Sequence, residues 1–152
     1  MKHMTLALAG VLALASVSPA AAEDALYDKR FGSLILADFH GKAIWELQAM
    51  CAGYHRATAS YFSEQGKRDL ARRAEVASAQ ATNRVALQLK HDRGLSRAEA
   101  IRLAAAYEQV GVRVTQRALA KDGHDQDGQW NYWKSFCADA DRVFFAQTGV
   151  GR

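Results

Sequence analysis

Trp45-Glu46-Leu47-Gln48-Ala49-Met50-Cys51-Ala52-Gly53-Tyr54-His55-Arg56-Ala57-Thr58-Ala59-Ser60-Tyr61-Phe62 is the stretch whose reading decides the fold. Leu47, Met50, Cys51, Tyr54, Thr58 and Tyr61 recur at spacings of three and four, and Phe39 and Ala43 extend the series upstream. That period gathers them on one face of a helix. The spacing predicts a helix over 38–64, with Asp38 as its cap and Gly66 as its stop. A glycine inside a helix costs about 1 kcal/mol relative to alanine, so Gly53 points to a close helix contact.

Working outward from this stretch, three further helices follow. The second is expected over 67–90, with Leu70, Ala74, Ala77, Ala81, Val85 and Gln88 or Leu89 inward. Small alanines on that face let two helix axes approach closely. Ser96-Arg97-Ala98-Glu99 matches a capping box, in which serine and glutamate each bond an exposed backbone donor. A third helix then runs to about Lys121, with Ile101, Leu103, Tyr107, Val110, Val114 and Ala118 as its apolar set, although Gly111, Val112 and Val114 weaken its intrinsic preference. The fourth, over 129–148, is the most aromatic part of the chain. Trp130, Trp133, Cys137, Ala140, Phe144 and Gln147 form its stripe, and Gly149 stops it.

The N-terminus carries the three parts of a secretory signal: Lys2, the apolar run Leu6 to Val17, and the small-residue site Ala20-Ala21-Ala22. Residues 1–22 are therefore expected to be removed, leaving 23–152 as a single helical domain of 130 residues. The apolar run is shorter than the approximately 20 residues needed to span a bilayer, so no transmembrane segment is expected in the mature chain. Periplasm or extracellular space is the expected destination. Residues 23–37 form a short N-terminal segment, charged and then apolar.

In an exported chain with two cysteines, Cys51 and Cys137 are expected to pair. Topology agrees, because in an antiparallel up-down-up-down bundle the first and fourth helices are neighbours whose midpoints, near 51 and 138, meet. The expected fold is thus all-α: an antiparallel four-helix bundle with a short N-terminal segment and one disulfide. A metal reading of Cys51 and His55, four apart on one face, lacks a fourth ligand even with Cys137 added. Cys51-Ala52-Gly53-Tyr54-His55 is not a haem attachment motif. Asp125-x-Asp127-Gly128 echoes a calcium loop, but Gly123 and Lys134 stand where its first and last carboxylates belong.

No phosphate loop, nucleophile elbow or zinc-protease motif is present, and neither catalytic residues nor a cofactor is expected. The chain carries a formal charge of +4, and nine Lys/Arg against four Asp/Glu fall within 66–102. These basic residues lie around the helix with no aromatic among them, which disfavours nucleic acid. The expected function is a non-enzymatic binding or accessory protein that contacts another protein or an envelope component. Trp130, Tyr132 and Trp133 would supply apolar anchors, and Arg72, Arg73 and Arg84 charge. The alternative is a bundle holding a small apolar ligand or cofactor among Trp45, Tyr54, Trp133 and Phe136, with His55 as polar handle. Sequence does not specify the oligomeric state.

Overall fold

The computed structural model describes residues 42–124 and 128–148. They form four helices, α1 (Ile44–Glu64), α2 (Arg68–Arg93), α3 (Arg97–Asp122) and α4 (Gln129–Thr148), with no strand among the described residues. The expected signal at 1–22, the segment 23–37, Asp38, Phe39, His40, Asp125, Asp127, Gly149 and the side chain of Gln147 lie outside the description.

Helix α1 is the axis of the fold. It packs on each of the other three helices, and buried residues occur on every side of it, from Trp45 and Gln48 to Tyr54, Ala57 and Phe62. Its partners in α2 and in α4 run in the opposite order to its own sequence: Gln48 meets Arg84 and Ala52 meets Ser78, while Gln48 meets Asp141, Cys51 meets Cys137 and Thr58 meets Trp130. The disulfide bridges the middles of α1 and α4, with Cα atoms 5.5 Å apart and both cysteines buried.

Two features of α1 differ from expectation or sharpen it. Lys42 is not helical and Ala43 is extended, so the helix begins at Ile44 rather than at 38. The Glu46 carboxylate reaches back to accept the Ala43 N–H at 2.9 Å, which satisfies a donor the helix itself cannot pair. At Gly53 the contact with α3 is backbone to backbone. A Cβ there would lie 2.0 Å from the Glu108 carbonyl oxygen, and one at Gly111 would lie 2.0 Å from that of Met50.

The same closeness decides which faces of α2 and α3 turn inward. Ser78 donates to the Ala52 carbonyl at 2.9 Å, a hydroxyl's reach between helices, and Ala71, Ala74, Ala81, Val85 and Leu89 share its face. Leu70, expected inside, is 40% exposed, and Ala77 and Gln88 are only half-buried. In α3, Ala100 and Ala104 are buried while Ile101 and Leu103 are exposed, again against expectation. Closely spaced axes admit small side chains at the contact and turn larger ones to its edges.

Helix ends follow local rules. Gly94, at φ 68°, takes the left-handed conformation that ends α2, and its N–H bonds the Lys90 carbonyl at 3.0 Å. Ser96 and Glu99 form the expected capping box of α3, with the Ser96 N–H on the Glu99 carboxylate at 2.9 Å. Helix α4 matches its expected span, and Trp133, Phe136, Cys137, Ala140 and Phe144 are buried along it.

Candidate functional site

The side chains singled out from sequence divide into those used inside the fold and those left on its surface. Arg84 belongs to the first group. Its Nε donates to Gln48 Oε1 at 2.9 Å and its terminal nitrogen pairs with Asp141 at 2.7 Å, while Gln48 Nε2 donates to the same carboxylate at 3.1 Å. Gln48 is completely buried, with both ends of its amide satisfied. This three-residue network ties α2 to α4 through α1. Arg72 and Arg73 are exposed by contrast.

His55, half-buried, sits edge-on to Tyr54 at 4.9 Å. Its pKa falls to about 4, chiefly because burial disfavours the charged ring; Asp141 opposes the shift and the positive charge of Arg84 adds to it. The ring is therefore neutral at physiological pH. Burial likewise raises the Tyr54 hydroxyl well above its ordinary range. Neither group is poised for proton transfer near neutral pH.

The aromatic anchors expected on α4 are largely drawn in. Trp133 is 4% exposed and Trp130 and Tyr132 are half-buried, Trp130 donating through Nε1 to Thr58 at 3.1 Å. The residues expected around an interior ligand are split between two packed clusters. Tyr54, Trp133 and Phe136 lie in one with the disulfide, and Trp45 lies in the other with Val85 and Leu89. Glu46 and Asp139, carboxylates on the two bridged helices, are also engaged: Glu46 accepts from the Tyr107 hydroxyl at 2.7 Å, pushing that phenol up to about 12, and Asp139 pairs with Arg142. Among the described residues no group of three or more His, Cys, Asp or Glu could hold a metal ion.

Sequence reading missed a groove of about 550 Å³ between α1 and α2, bordered also by Arg97 of α3. Its walls carry Arg56, Ser60 and Ser63 from α1 and Glu75, Thr82 and Asn83 from α2. The legible signal was polar residues at helical spacing beside the apolar face in both helices, a pattern shared by any solvated flank. Comparison with family models, with curated proteins and with solved structures finds no match.

Proposed function

We propose that the chain is an exported, non-enzymatic binding or accessory protein that works through contact with another protein or an envelope component. The outer face of α2 is the observation that supports this reading most directly. Val76 and Leu87, each 51% exposed, stand three turns apart on the side of α2 turned away from the core, and Arg72, Arg73 and Lys90 are exposed around them. Apolar groups rimmed by cations suit an acidic protein surface, where charge steers the encounter and apolar burial holds it. The half-exposed Trp130 and Tyr132 offer a second flank. The disulfide is compatible with an oxidising compartment, and no helix among the described residues is long and apolar enough to cross a membrane.

Disulfide-intact mature protein used as bait in envelope extracts tests the reading, beside Arg72→Glu/Arg73→Glu and Val76→Ser/Leu87→Ser variants. The same partner is expected with the parent chain and lost from both variants. A partner set identical for all three baits would overturn the assignment of this face.

A further inference from the structure

The groove between α1 and α2 gathers several polar side chains that are not engaged with other parts of the protein. Ser60, Ser63, Glu75, Asn83 and Arg97 all border it, and among the described residues none of these side chains makes a hydrogen bond or an ion pair. The floor is already satisfied: Ser78 donates to the Ala52 carbonyl and Thr82 to the Ser78 carbonyl. On the α1 wall, Arg56 is held by Glu108 at 2.5 Å, which leaves that pair neutral. The unspent charges are then one cation and one anion, Arg97 and Glu75. Ile101, one turn beyond Arg97, borders a small void with Thr82 and Val85, which sets Arg97 toward the Thr82–Asn83 end. Glu75 lies two turns earlier on α2, a rise of about 12 Å.

We propose that this groove binds a short zwitterionic peptide, with its free carboxylate at Arg97 and its ammonium group at Glu75. An extended chain spans roughly 3.3 to 3.6 Å per residue, so three or four residues bridge the two charges. The peptide's own N–H and C=O groups meet the free hydroxyls and the Asn83 amide between and beyond them. The lining disfavours the neighbouring ligand classes. A lone phosphate satisfies Arg97 but leaves Glu75 facing a like charge, and a neutral sugar leaves both charges unpaired. The volume falls in the range of small-ligand sites. This site lies on the flank of α2 beside the α1 contact; its Asn83 edge adjoins the outer face proposed for a protein partner, one turn before Leu87, but the two proposals rest on different residues and stand independently.

Amide chemical-shift titration of the disulfide-intact mature protein tests it, using trialanine, N-acetyl-trialanine, trialanine amide and an N-acetylglucosamine trimer as probes. Trialanine is expected to bind saturably and to shift the amides of Ser60, Ala79 and Asn83. Arg97→Gln and Glu75→Gln should each weaken it roughly tenfold, the size of a lost charge-assisted hydrogen bond. Trialanine amide should lose as much on the parent chain and nothing further on Arg97→Gln, and the acetyl form should behave likewise with Glu75→Gln. Arg102→Gln, at an exposed position of α3 outside the groove, should leave trialanine binding unchanged. No saturable shift at millimolar trialanine, binding by either groove variant as tight as by the parent chain, or binding of the sugar trimer in place of the peptide would each overturn the proposal.

Discussion

Helices α3 and α4 both lie against α1, but α3 crosses it where side chains are removed, whereas α4 is attached by adding them. At the α1–α3 crossing the backbones meet at Gly53 and Gly111, with no room for a Cβ on either. Along α4 the attachment consists of a disulfide, the Gln48–Asp141–Arg84 network and the Trp130–Thr58 hydrogen bond. At its crossing the first joint is steric and tolerates no growth, with the Tyr107–Glu46 hydrogen bond and the Arg56–Glu108 ion pair lying beside it. The second is a set of discrete bonds, each removable in turn.

The largest effect is expected from the covalent link. Cys51→Ala/Cys137→Ala opens a loop of 86 residues, for which chain entropy gives about 4 to 5 kcal/mol as an upper figure. Denaturant unfolding should show that loss, with Trp130 and Trp133 fluorescence changing at lower denaturant as α4 detaches. A single transition at an unchanged midpoint would show that the other bonds alone hold α4.

Next comes Gly111→Ala. Alanine in place of glycine within a helix ordinarily stabilises by about 1 kcal/mol. Here the added methyl meets the Met50 carbonyl, so the sign should reverse to a loss of about 3 kcal/mol, the upper end for overpacking. Gly53→Ala should behave alike, and the two together should cost less than their sum because one separation of the helices relieves both. Stabilisation by either variant would break the comparison at its first term.

The two joints also differ in how far sequence reveals them. Two cysteines leave one pairing to consider, and bundle topology places both at helix midpoints. The capping box at Ser96 is equally local, since its partners are three residues apart. The crossing is different, because Gly111 reads as a defect in α3 until the backbone of Met50 is known to lie against it. The same cause misplaced Leu70, Ile101 and Leu103, which hydrophobicity alone sends inward although only alanine fits where the axes close. Arg84 was expected to offer charge to a partner, and its engagement inside the fold was hidden for a related reason: its partners Gln48 and Asp141 lie 36 residues before it and 57 after it, and no periodicity connects the three. The groove was invisible in the same way, being assembled from three helices.

A smaller effect is expected from the polar part of the α4 joint. Gln48→Leu removes one acceptor for Arg84 and one donor to Asp141 but leaves their ion pair in place, so a loss of about 2 kcal/mol is expected. His55, beside this network, adds a pH dependence. Its folded pKa of about 4 lies below the ordinary 6.5, so the unfolded chain binds the extra proton between these values. Stability should be full above pH 6.5 and fall as the pH drops towards 4. His55→Gln should flatten that part of the curve, and an unchanged slope would place the titration elsewhere.

The smallest effect separates the two joints by sign. Thr115 lies on α3 one turn after Gly111, with none of its surface exposed, and its hydroxyl has no hydrogen-bond partner. Gln48 is as deeply buried on the α4 side but has both ends of its amide satisfied. A buried hydroxyl without a partner has lost its water and gained nothing in return, whereas valine keeps the branched shape and carries no such cost. Thr115→Val is therefore expected to raise stability by about 1 kcal/mol, against the loss for Gln48→Leu, when both are measured by denaturant unfolding at neutral pH. If Thr115→Val destabilises by the same amount, the Thr115 hydroxyl makes a hydrogen bond beside the Gly53–Gly111 crossing, and the description of that crossing as steric alone fails.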